Sequence, residues 1–143
     1  MDEALINGAH IFYETAGVGY PLVLVHAGIA DSRMWDSQFN VLAEQYHVIR
    51  YDMRGYGKTA MVAGEYAHRD DLHGLLNALN IERAILVACS MGGRTAIDFT
   101  LEHPERVRAL VLVGADLSGY EDESDPPKQW DAMVAAHQQG DFD

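Results

Sequence analysis

Three short apolar runs limit what this chain can fold into more than any other feature. They are Pro21-Leu22-Val23-Leu24-Val25, Ala84-Ile85-Leu86-Val87-Ala88 and, broken only by Arg108, Val107 to Val113. A strand with one wet face alternates apolar and polar residues, whereas an unbroken apolar run is expected where both faces are buried, as in a parallel sheet. Between the runs lie helical patterns. Asp31 or Ser32 can cap a helix in which Met34, Trp35, Phe39, Leu42 and Ala43 share a face, and Leu72, Leu75, Leu76 and Leu79 mark the buried face of another. Val48-Ile49-Arg50-Tyr51 reads as a further strand. Leu5-Ile6 and Ile11-Phe12-Tyr13, on either side of Asn7-Gly8, read as an opening antiparallel hairpin. Strands of parallel character alternating with helices predict an α/β fold: a mostly parallel sheet with helices on both faces and right-handed crossovers.

Such a sheet gathers the carboxyl ends of its strands along one edge, where open α/β sheets bind ligands. His26 to Ser32, Asp52 to Lys58, Ser90 and Asp116 would then meet at one crevice. Ser90 is the most informative of these. Ala84 to Ala88 predicts a strand, Met91 onward predicts a helix, and Ala88 and Gly92 flank Ser90 two positions away on each side. Small flanking residues let the backbone bend sharply, which exposes the serine hydroxyl as a candidate nucleophile. The amide of Met91 would sit at a helix N-terminus, where unpaired N–H groups favour a developing oxyanion. Small-x-Ser-x-Gly also occurs in ordinary helix caps, so the surrounding motifs carry the argument.

Composition excludes several other functions. With 10 basic and 22 acidic residues the net charge is −12, which disfavours nucleic acid or an anionic membrane as partner. No apolar run is long enough to span a bilayer and the acidic start lacks a signal-like basic region, so a cytoplasmic location is expected. Cys89 is the sole cysteine, and no Cys/His cluster has metal-ligand spacing. Gly55-Tyr56-Gly57-Lys58-Thr59 resembles the tail of a phosphate loop, but Asp52 stands where its first glycine belongs and no helix opens after it. No metal or cofactor is implied. The expected partner is a small-molecule substrate.

Taken together, His26-Ala27-Gly28, Asp52-Met53-Arg54-Gly55-Tyr56-Gly57, Cys89-Ser90-Met91-Gly92-Gly93 and His103-Pro104-Glu105-Arg106-Val107 resemble the α/β-hydrolase superfamily, along its N-terminal part. The resemblance implies a serine hydrolase of esterase or lactonase type in which Ser90 attacks a small apolar carbonyl substrate. By motif position, the backbone amides of Gly28 and Met91 form its oxyanion hole. Ala88 and Ala27 depart from the glycines usual in the family. A serine at position 90 argues against the dehalogenase and epoxide-hydrolase branches, which resemble this pattern but carry aspartate there. Carbon–carbon bond hydrolysis and perhydrolysis use similar constellations and stay open.

In the family the acid and histidine follow the nucleophile. After Ser90 the sequence holds only His103 and His137. His103 lies about 20 Å along the elbow helix from Ser90, and no orienting partner for His137 can be named. His26 is implied to be structural, and Asp116 is a candidate acid that could equally be a turn or cap residue. Residues 1–117 read as the N-terminal part of a hydrolase core. Residues 118–143 read as the start of a cap, with a helix from Pro126-Pro127 and a stripe at Trp130, Met133, Val134 and His137. The expected whole is a longer hydrolase in which a further C-terminal portion or another chain completes fold and triad. The alternative is a non-catalytic, ligand-binding hydrolase-like fragment.

Overall fold

A computed structural model describes residues 2–118. The cap reading therefore lies outside the described residues from Gly119 onward, including the Trp130 stripe and His137. Among these residues six strands form one sheet: β1 (Asp2–Ile6), β2 (Ala9–Ala16), β3 (Tyr20–Val25), β4 (Tyr46–Tyr51), β5 (Ala84–Cys89) and β6 (Val107–Val113). Their order across the sheet is β1-β2-β4-β3-β5-β6. β1–β2 and β2–β4 pair antiparallel, while β4–β3, β3–β5 and β5–β6 pair parallel. The opening hairpin turns at Asn7 (φ 47°) and Gly8 (φ 80°), the two positive φ values that a type I′ turn requires.

Among the described residues three α-helices cover the sheet: α1 (Asp36–Leu42), α2 (His68–Ala78) and α3 (Met91–Glu102). The two-residue period of β3 divides its side chains between the layers. Val23 and Val25 join Ile49, Tyr51, Leu86 and Ala88 against Leu72, Leu75 and Leu76 of α2 and Ala96 and Phe99 of α3. Leu22 and Leu24 face the other way, with Val48, against Trp35 and Phe39. An unbroken apolar run is therefore what a strand between two helical layers needs, as the sequence predicts for β3.

Two expectations need correction. β6 is not a buried strand: Val107 is covered, but Val111, Leu112 and Val113 are 48%, 41% and 51% exposed. Among the described residues β6 pairs only with β5, so its outer edge and much of its surface lack a neighbour. The helix expected from Asp31 or Ser32 begins as a 3₁₀ turn over Ser32–Trp35, capped by the Asp31 carboxylate accepting from the Arg33 amide. The tighter winding swings Met34 out of the apolar face, leaving it exposed while Trp35 is buried.

A buried ion pair ties the hairpin turn to the crevice side. The Arg54 guanidinium, after β4, donates from Nε and Nη2 to the two carboxylate oxygens of Asp71 on α2, at 3.0 and 2.8 Å. It also donates to the carbonyl of Asn7, whose side-chain amide donates to Asp71. Both charged side chains are at most 3% exposed. Removing one partner strands the other in low dielectric. Arg54→Leu is therefore expected to lower unfolding free energy by about 3–5 kcal/mol, measured by chemical denaturation; a loss below about 1 kcal/mol, as for a surface pair, would refute this.

Candidate active site

β5 ends at Cys89 and α3 begins at Met91, so Ser90 alone makes the turn. Its φ of 50° and ψ of −119° lie outside the regions that L-residues ordinarily occupy. Tertiary contacts hold it there. The Ser90 amide donates to the carbonyl of Val113 on β6 at 2.9 Å, and its own carbonyl accepts the first helical bond, from the Arg94 amide at 3.1 Å. The amides of Met91, Gly92 and Gly93 precede that first bond and lie on the positive end of α3.

Glycine is required next to it by close backbone approach. A Cβ on Gly92 would collide with the carbonyl oxygen of His26 and lie 2.7 Å from that of Val25; one on Gly93 would collide with Ala115. The helix N-terminus is thus seated directly on the end of β3. Ala88 is fully buried in the core behind the turn, where its methyl is accommodated.

Across from the elbow runs the loop after β3. A Cβ on Gly28 would sit 3.1 Å from Sδ and 3.2 Å from Cβ of Met91, so the two residues expected to donate oxyanion amides are neighbours. The peptide joining Ala27 to Gly28 is fixed from its carbonyl end. His26 Nδ1 lies 2.8 Å from the Ala27 oxygen, which also accepts from the Ala30 amide at 3.1 Å. His26 Nε2 accepts from the Met53 amide at 2.9 Å, which assigns the proton to Nδ1 as donor. A planar trans peptide points its N–H opposite its C=O, so fixing the oxygen also aims the Gly28 N–H. His26, expected to be structural, sets that aim.

Asp52 joins the same network. Its buried carboxylate accepts the Ser32 amide at 2.9 Å and the Lys58 amide at 2.8 Å, tying the loop after β3 to the loop after β4. Gly57, at φ 52°, wraps so closely over this carboxylate that a Cβ would collide with it. The stretch that resembles a phosphate loop thus encloses a carboxylate of its own chain. The signal for this role of Asp52 in the sequence is an acid directly behind a buried strand and five residues ahead of a glycine.

Ser90 Oγ has no hydrogen-bonding side chain among the described residues, and the remaining candidates are paired elsewhere. Asp116 forms an exposed ion pair with Arg94 on α3, and that guanidinium holds its carboxyl below the usual carboxylate range. His103, at the far end of α3, stacks on His73 with ring centroids 4.3 Å apart.

A mostly parallel sheet carrying a serine on a strained strand-to-helix turn is the frame of an α/β hydrolase. The chain belongs to the alpha/beta hydrolase fold family, whose pattern matches residues 20–142. It is similar to the 2-hydroxy-6-oxo-6-(2'-aminophenyl)hexa-2,4-dienoic acid hydrolase of Metapseudomonas resinovorans, with 37% identity over 79% of this chain and 42% of the relative. It is 36% identical to the 2-hydroxymuconate semialdehyde hydrolase of Pseudomonas sp. strain CF600, again over 79% and 42% of the two chains. A solved N-acyl homoserine lactone degrading enzyme superposes with a TM-score of 0.81 at 29% identity, covering 98% of this chain and 54% of that one. The chain therefore spans about two fifths of the length of these curated relatives.

Burial depresses the pKa of His26 below its ordinary 6.5, and His68 moves the same way for the same reason. The unfolded chain takes up these protons first, so their contribution to stability is complete above pH 6.5 and declines as pH falls below it. The unfolding free energy is expected to drop by up to about 1.4 kcal/mol per pH unit per histidine in that interval. His26→Phe should flatten the slope in denaturation curves recorded between pH 7.5 and 5; an unchanged slope would exclude His26 as a contributor. Gly92→Ala is expected to cost about 1–3 kcal/mol, because the obstructing atoms are backbone. A wild-type denaturation midpoint for that variant would show that α3 can back away from β3.

Proposed function

We propose that Ser90 is the nucleophile of a serine hydrolase that opens small, mostly apolar esters or lactones through an acyl-enzyme, with the Gly28 and Met91 amides as its oxyanion hole. The observation that carries this reading is the backbone of Ser90 at φ 50° and ψ −119°, a strained conformation maintained at an exposed serine facing two amide-bearing turns. In the proposed reaction Ser90 Oγ bonds to the carbonyl carbon and its proton passes to a base. The carbonyl oxygen becomes an oxyanion held by the two amides, and collapse expels the alcohol, which takes the proton. Water then repeats the sequence on the acyl group and frees the serine. The acid and the histidine that complete this chemistry are assigned to sequence beyond the described residues or to another polypeptide.

The curated relatives favour a second substrate class for the same site. The acid in the first relative's name carries a ketone at carbon 6 of a dienoate, and attack by Ser90 on such a ketone would lead to carbon–carbon cleavage. A non-catalytic ligand-binding role is the remaining alternative.

The test is intact-mass spectrometry and peptide mapping of the complete protein after exposure to a fluorophosphonate, combined with turnover of p-nitrophenyl esters, lactones and 6-oxo-dienoates. One adduct on Ser90, lost in Ser90→Ala together with at least about 10⁴-fold of the turnover, is expected. A Ser90→Ala variant that keeps ligand affinity, from a wild type with neither adduct nor turnover, would establish the binding role instead.

A further inference from the structure

The loop that carries Gly28 is held by a second acceptor of an unusual kind. The Ala27 amide donates to Sδ of Met34 at 3.2 Å. Ala27 is 7% exposed, so its N–H has little access to water as a substitute, whereas Met34 is 37% exposed and open to reagents. The carbonyl of the same residue, Ala27, receives His26 and the Ala30 amide and so aims the Gly28 N–H. The thioether of a partly exposed side chain therefore anchors the residue on which the loop's orientation depends.

Resting on the reading of Gly28 as an oxyanion donor, we propose that Met34 is an oxidation site through which a peroxide disables the oxyanion loop. The sulfur lone pair attacks one peroxide oxygen: an S–O bond forms and the O–O bond breaks. The thioether loses two electrons to become a sulfoxide, and the second oxygen of hydrogen peroxide leaves as water, taking up the proton released by the first. The new oxygen cannot fit within the 3.2 Å between sulfur and the Ala27 nitrogen. Oxygen on the opposite side leaves the sulfur positively polarised and facing an N–H donor. A sulfoxide oxygen that takes over as acceptor needs the sulfur to retreat, so the 3.2 Å contact is broken in every orientation and residues 26–30 shift with it.

The other methionines of the region do not share this arrangement. Met53 is 1% exposed, and Met91, half-buried against Gly28, has its sulfur taken by the Tyr56 hydroxyl at 3.7 Å and accepts no amide of the loop after β3. Met61 is more exposed than Met34, at 59%, but lies against Gly55 and accepts no amide of the loop after β3. It is therefore an internal control for oxidation that reaches the surface without reaching the loop.

The experiment treats the complete protein with hydrogen peroxide and reads three quantities: sulfoxide at each methionine by peptide mapping, hydrogen exchange over residues 26–30, and the fluorophosphonate labelling rate of Ser90. Met34 sulfoxide is expected to accompany an increase of at least tenfold in exchange at Ala27. Labelling should slow about tenfold, less than the 10²–10³ of losing a donor outright. Met34→Leu should label somewhat slower than wild type before treatment but lose nothing further to peroxide, and Met61→Leu should remain peroxide-sensitive. Met34 sulfoxide with unchanged exchange, equal peroxide sensitivity in Met34→Leu, or an unoxidised Met34 beside a fully oxidised Met61 would each overturn the proposal. Failure of the untreated protein to label at Ser90 would remove the nucleophile reading alone, because sulfoxide mapping and exchange still decide the oxidation site.

Discussion

The first turn of α3 lies against the last residues of β3 backbone to backbone, and the crevice depends on that contact. Gly92 has no Cβ to separate the helix from the carbonyls of Val25 and His26. Because the two segments touch, the start of α3 meets the loop after β3, with Met91 packed directly against Gly28. The positive φ of Ser90 is the conformational cost of that approach, offset by the bond to Val113, the burial of Ala88 and the core under α3.

The geometry then spreads through groups that would not touch a ligand. His26 bridges the Met53 amide and the Ala27 carbonyl, and Asp52 bridges the Ser32 and Lys58 amides, so the turns after β3 and β4 behave as one unit. Arg54 extends this unit to α2 and to the Asn7 turn through a pair that is almost fully buried. Each of these side chains is polar and enclosed, and each has its hydrogen-bonding capacity met by a backbone group or an opposite charge. That condition allows enclosed polar groups to rigidify a site rather than weaken it.

Much of this was legible from residue order because the controlling features are local. Unbroken apolar runs gave the parallel strands, Asn7-Gly8 gave the hairpin, and a serine between small residues after a strand gave the elbow. Legibility failed where a residue's role depends on distant chain. Val111 to Val113 are as apolar as β3, yet burial needs neighbours on both sides, and β6 has one among the described residues. Met34 fits a helical face at 3.6 residues per turn but not in the 3₁₀ turn that forms. Asp116 ends at the expected edge, but its direction is set by Arg94, 22 residues earlier, and no periodicity encodes such a pairing. Asp52 was hidden by the glycine-rich stretch that encloses it.

The strand order carries a consequence for how the molecule is made. β3 lies between β4 and β5, and Leu22 is paired with Val48 on one side and Ile85 on the other. As the chain leaves the ribosome, the first partner arrives soon and the second only after the whole of α2 has been synthesised. Until then one edge of the most apolar strand is an open row of hydrogen-bonding groups, and closing the gap requires long-range contacts, the slow kind to form. The interval between translating β4 and β5 is thus a long period in which a nascent chain is exposed to pairing with a stranger.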